Sequence, residues 1–178
     1  MIKKILIVLV GIVAALTVVV ALRPADFRIA RSASFSAPPA AVFEQVNDLH
    51  KFQEWSPWAK LDPAAKNSFQ GPPAGTGAAF SWAGNMEVGE GTMTITESRP
   101  GELVRFRLDF RKPISGTNTA EFTFQPEGGG TLVTWSTEGK NGFIAKAVGL
   151  VMDCDKMVGG QFEKGLADLK KIVEAAPK

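Results

Sequence analysis

The chain has 178 residues, 45% of them hydrophobic, with 20 Lys and Arg against 18 Asp and Glu. That length holds one domain of about 150 residues behind a front segment, and such a domain buries roughly 68–70% of its unfolded surface without a disulfide or metal staple. Scattered charge excludes a basic groove for nucleic acid; one histidine, His50, and one cysteine, Cys154, exclude a His- or Cys-based metal cluster and an internal disulfide.

Met1-Ile2-Lys3-Lys4 leads into an uncharged run from Ile5 to Leu22. At 1.5 Å per residue that run spans about 27 Å, just enough for a hydrocarbon core. Lys3 and Lys4 would also serve a signal peptide, but the run exceeds the usual ~7–15 apolar residues and Val19-Val20-Ala21 is a poor small-x-small cleavage site. Residues 1–24 therefore read as an uncleaved membrane anchor and linker, with a cleaved signal peptide and secretion as the alternative. No cysteine lies near the run to carry lipid. The short N-terminal tail favours export of the domain at 25–178 to the extracytoplasmic side, against the opposing pull of Arg23, Arg28 and Arg31. Without Lys3, Lys4 and Arg23 the chain carries 17 basic against 18 acidic residues, so the pI near 8.7 does not imply a polyanionic partner.

From Phe27 to Phe35 the residues alternate, with Phe27, Ile29, Ala33 and Phe35 on one face of a strand. Ser36 and the prolines of Ala37-Pro38-Pro39 stop it and start a short helix with a Val42, Phe43, Val46 stripe. Trp55-Ser56-Pro57-Trp58 then forms a rigid apolar corner, fit for a core or a pocket wall. Lys66–Gln70 is a second strand, closed by the Gly71-Pro72-Pro73-Ala74-Gly75 turn. Five alternating segments follow, at 77–83, 91–97, 103–110, 119–124 and 131–137. Their apolar faces carry Phe80 and Trp82, Met93 and Ile95, then Val104, Phe106, Leu108 and Phe110. Ala120, Phe122 and Phe124 follow, and last Val133 with Trp135.

One greasy and one wet face per strand describe an antiparallel sheet covered on a single side. The cover is the stretch from Phe143 to Val173, apolar at helical spacing and kinked or divided at Gly159-Gly160. The fold class is therefore α+β: a curved seven-stranded antiparallel sheet around one long C-terminal helix. A sheet too wide for one helix to fill leaves a gap between them.

The order of these pieces resembles the helix-grip fold of the START/Bet v 1-like (SRPBCC) superfamily, specifically its bacterial polyketide cyclase/dehydrase and lipid transport branch. The matching residues are Ser36-Ala37-Pro38-Pro39 with Val42, Trp55-Ser56-Pro57-Trp58, Gly71-Pro72 with Gly75-Thr76-Gly77-Ala78, and Trp82-Ala83-Gly84-Asn85. Gly89-Glu90-Gly91-Thr92-Met93-Thr94-Ile95, Gly130-Thr131-Leu132-Val133-Thr134-Trp135 and Phe162-Glu163-Lys164-Gly165-Leu166 with Leu169-Lys170 complete the set. The resemblance covers about residues 27–175. It implies an internal apolar cavity that holds a small hydrophobic molecule, in a superfamily of which only some members are enzymes.

The residues expected to line that cavity are Trp55, Trp58, Phe80, Trp82, Met93, Ile95, Phe106, Leu108, Phe122, Trp135, Met157 and Phe162. Collectively the aromatic members exceed what one helix can cover. Two charged residues, Arg31 and Glu97, share parity with apolar neighbours. They are the weak candidates for a catalytic pair or a head-group anchor, unless a bulge or strand end frees each into water. His50, in Asp48-Leu49-His50-Lys51, reads as a solvated imidazole, and Cys154 as an inert buried thiol. The chain has no tyrosine, which counts against ring-closing catalysis. Gly75-Thr76-Gly77 leads into a strand and so lacks a helix N-terminus for phosphate; Glu127-Gly128-Gly129-Gly130 is a turn.

The expectation is a membrane-tethered binder or carrier of a small lipid-like molecule, with no cofactor, no metal and no catalysis. A polyketide cyclase/dehydratase-like lyase and a co-chaperone-like interaction module are the alternatives. The latter needs an apolar outer patch, where the strands show mainly Thr, Arg and Lys.

Overall fold

The computed structural model describes residues 1–175. Helix α1, Ile2–Leu22, stands clear of the rest: Val20 is its only buried residue. Pro24 follows, and β1, Asp26–Phe35, opens the folded domain. Three short helices come next: α2 (Pro39–Asn47), α3 (Leu49–Trp55) and α4 (Pro57–Leu61). Proline takes the first position of α2 and α4, where its fixed φ suits the helix and its missing N–H costs nothing. The Asp48 carboxylate accepts from the backbone N–H of His50 and Lys51 and so caps α3. Ser56 ends α3 and precedes α4, so the Trp55–Trp58 corner joins two helices instead of closing one.

Six strands follow: β2 (Lys66–Gln70), β3 (Ala79–Ala83), β4 (Glu90–Arg99), β5 (Leu103–Lys112), β6 (Gly116–Glu127) and β7 (Gly130–Lys140). Each pairs antiparallel with the next, and β1 returns to pair with β7, giving the order β1-β7-β6-β5-β4-β3-β2. The alternation legible in the sequence holds: Met93, Ile95, Val104, Phe106, Ala120, Phe122, Phe124, Val133 and Trp135 are all buried on the inner face. The outer face is laced by hydroxyls such as Ser32–Thr134 and Ser81–Thr92.

The C-terminal cover differs from its expected form. It is two helices, α5 (Phe143–Val148) and α6 (Cys154–Ala175), divided at 149–153 and not at Gly159-Gly160. The Asp153 carboxylate accepts from the Lys156 N–H, which caps a new helix there. α6 runs on through both glycines and lays Phe162, Leu166, Leu169 and Val173 into the core, chiefly over β1 and the short helices. Seven strands gripping one long helix is the helix-grip arrangement.

The glycines of α6 have a packing reason. A Cβ on Gly159 would collide with the Arg31 guanidinium, and one on Gly165 would lie 2.7 Å from the Trp135 ring and 3.1 Å from Pro57, whereas Gly160 has open space. Replacing a helical Gly by Ala gains about 1 kcal/mol of propensity, while overpacking a filled core costs typically ~1–3 kcal/mol. Gly160→Ala should therefore raise the thermal midpoint of the full chain in detergent, and Gly165→Ala should lower it. Equal shifts for the two would show that α6 does not bear on Trp135.

Candidate functional site

Trp135, in the middle of β7, collects aromatic rings from every side. Phe162 of α6 stacks on it at 4.1 Å between centroids and Phe122 of β6 at 4.7 Å. Trp58, Trp55 and Phe52 meet it edge-on at 5.5, 5.7 and 6.2 Å. Offset stacks and edge-to-face pairs are the favoured geometries of aromatic packing. Trp55, Phe122, Phe106 and Ile95 are essentially inaccessible, and the Trp55 indole N–H donates to the Gln45 carbonyl at 3.1 Å. These four, expected on a cavity wall, are close-packed core. The reason is that α3 sends Phe52 and Trp55 into the space that one C-terminal helix would have left open.

The other half of the inner face is less completely covered. Phe80 and Met93 are buried, while Trp82, Leu108, Phe110 and Trp58 are half-buried. Leu108 lies across from Met93, and Phe110 lies edge-on to Trp82 at 5.9 Å. The Trp82 indole is held by its N–H to the Val88 carbonyl at 2.9 Å and lies over Gly91, where a Cβ would come within 2.6 Å of the ring. Met157 is 52% exposed on the first turns of α6, outside the core. Phe110 joins this band although only its strand, not its place at the rim, was legible in the sequence.

Two open clefts lie elsewhere. One, of about 640 Å³, runs between Arg23 and the α5–α6 turn, and the other, of about 730 Å³, crosses the ends of β1, β6 and β7 near Phe27 and Gly139. Neither is lined by any of the twelve residues expected to form a cavity.

Arg31 and Glu97 do not come together. Arg31 keeps its inward phase and meets α6: its guanidinium donates to the Glu163 carboxylate at 2.8 Å and to Asp155 at 2.8 Å, with Gly159 beneath it. Glu97 leaves its phase at a register shift after Ile95 and turns to the outer face, where it pairs with Arg105 and, at 3.3 Å, with Arg99. A β-bulge adds one residue and so exchanges the faces. His50 is exposed, as expected, with its ring stacked on Phe69 at 3.8 Å. Cys154, expected buried, is exposed at the start of α6. Among the described residues no group of three His, Cys, Asp or Glu could hold a metal ion.

The hydrogen bond from Arg31 holds the Asp155 carboxyl below its ordinary pKa, and Asp155 followed by Glu163 raises that of Arg31. A carboxylate with a depressed folded-state pKa adds stability that is full above its unfolded value of about 3.9 and disappears as pH falls through the lower folded value. Arg31→Met should therefore lower the melting temperature at pH 7, and the gap to the unaltered chain should narrow as pH falls below the carboxylate range. A gap independent of pH would mean that Arg31 acts through packing alone.

No curated protein matches the chain in sequence. Among solved structures, CV1439 of Chromobacterium violaceum superposes with a TM-score of 0.61 at 18% identity, over 84% of this chain and 98% of its own. The Aha1 dimer of Colwellia psychrerythraea gives a TM-score of 0.60 at 14% identity, over 85% and 99%. Ara h 8.0201 gives 0.59 at 11% identity, over 85% and 99%. At these identities the likeness is one of fold, the Bet v 1-like helix grip. The profile of the family described as polyketide cyclase / dehydrase and lipid transport spans residues 26–174, from the first residue of β1 almost to the end of α6. With sheet, grip helix and profile coinciding over the whole folded domain, the chain belongs to the polyketide cyclase / dehydrase and lipid transport family.

Proposed function

We propose that residues 25–178 form a domain that binds a small apolar, lipid-like molecule without chemically altering it, tethered to a membrane through α1. The observation that carries the binding reading is the half-buried apolar set of Trp82, Leu108 and Phe110 on the inner face of β3–β5. Apolar side chains left partly open on an inner face, with the indole of Trp82 already satisfied by backbone, suit a ligand recognised by burial more than by hydrogen bonds. The ligand would seat against the half-buried side chains of β3–β5. The packed half around Trp135 would act as its floor, so the site is narrower than a cavity lined by all twelve residues.

A lyase built on Arg31 and Glu97 lacks support, because the two side chains face opposite sides of the sheet and each is held by partners of opposite charge. α1 supports the tether: at 21 residues it is about 31 Å long, and its apolar side chains are exposed along its length. A helix of this kind at an N-terminus serves as an anchor or as a signal sequence. A tethered carrier stays at a high effective concentration of its lipid source.

Because α1 contributes only Val20 to the buried set, the 25–178 fragment keeps the whole core. Organic extraction of that purified fragment should release an apolar compound near one per chain, visible by mass spectrometry. Leu108→Arg should abolish this, while Glu97→Gln should leave it unchanged. A fragment that is always empty, and that binds neither phospholipid nor anilinonaphthalene sulfonate, would end the binding reading.

A further inference from the structure

Phe143, Ile144, Leu150, Val151 and Met152 form an apolar surface left largely open among the described residues; Val151 is 85% and Ile144 65% exposed. The strands of this domain carry Thr, Arg and Lys outward, so a cluster of large apolar side chains on α5 and the turn after it needs an explanation. Its position supplies one. The Lys146 ammonium donates to the Ala21 carbonyl at 2.9 Å, and the Arg23 guanidinium donates to the Gly149 carbonyl at 2.7 Å. Both bonds fasten α5 and its turn to the last residues of α1. If α1 crosses a bilayer, Leu22 and Arg23 leave it at the head-group level, and the five apolar residues lie in that same layer.

We propose that α5 and the 149–152 turn are an interfacial foot, which inserts Phe143, Ile144, Leu150, Val151 and Met152 into the bilayer surface beside the exit of α1. The inference rests on the tethering reading given above and adds an orientation to it. Apolar side chains of such segments sink about 5–10 Å into the boundary between head groups and acyl chains. Arg23 and Lys146 carry their charges at the rim of the patch, with apolar stems along it, as side chains at a membrane interface do. Asp153, in the same cleft, has its carboxylate occupied by the Lys156 N–H. Zwitterionic lipid therefore suffices as the partner. The foot precedes α6 directly, so the first turns of α6, with Met157, stand next to the bilayer surface.

The test uses the full chain in phosphatidylcholine vesicles, with Cys154→Ser as background and an environment-sensitive fluorophore on Val151→Cys. Gln125→Cys is the control: it is exposed on β6, about 30 Å away along the sheet at ~3.3 Å per residue. The expected result is co-flotation with vesicles after alkaline washing, blue-shifted emission at position 151, and its quenching by lipids with a nitroxide near the carbonyls more than by lipids with one at the tail end. Position 125 should stay unshifted and unquenched. Flotation with neither probe quenched would overturn the foot and leave the tether standing. Loss of flotation would overturn the tether and the foot together. A blue shift without nitroxide quenching, with cross-linked pairs of chains, would overturn the foot in favour of a second copy on this face.

Discussion

The grip of α6 on the sheet depends on the contact between Trp135 and the residues that converge on it. Phe162 and Phe122 sandwich the indole, while Phe52, Trp55 and Trp58 close its edges. Gly165 brings the helix backbone against the same ring. A sheet face and a helix can approach this closely only where a large flat side chain meets a residue without a Cβ. One residue therefore ties the sheet pair β6–β7, the short helices and the C-terminal helix into a single core. Toward β3–β5 the inner face is less completely covered, with Trp82, Leu108 and Phe110 half-buried.

The charges of the domain serve that architecture. Arg31 points inward but arrives beneath α6, where Asp155 and Glu163, two turns apart on the helix, receive it over Gly159. The arrangement pins the first turns of α6 to β1 at Arg31, the cross-strand partner of Trp135. Glu97 is removed from the interior by a single-residue bulge and joins an outer ladder with Arg99, Arg105 and Glu121. Among the described residues no buried side-chain nitrogen or oxygen lacks a partner.

The two ends of the molecule are connected by hydrogen bonds that secondary structure alone does not require. Lys146 and Arg23 join the base of α1 to α5 and its turn, and Asp153 then starts α6. A chain of short elements thus links the apolar front helix to the start of α6.

Period-2 alternation, turn glycines and prolines at helix starts determined the seven strands, the α2 stripe, the C-terminal cover and the apolar front helix. Each of these signals is local and survives without a partner. Tertiary structure decided the rest. Whether Trp55 lines a void or fills it depends on how deep α3 sits, which no residue spacing encodes. Glu97 changed sides through one bulged residue, Thr96, and parity counting cannot detect such an insertion. Gly159 looks like a helix breaker in sequence, yet it and Gly165 are contact points, because the guanidinium and indole that need their missing Cβ atoms come from strands more than twenty residues away. Met157 shares the helical period of core residues and Cys154 lies on the same stretch, yet both are exposed.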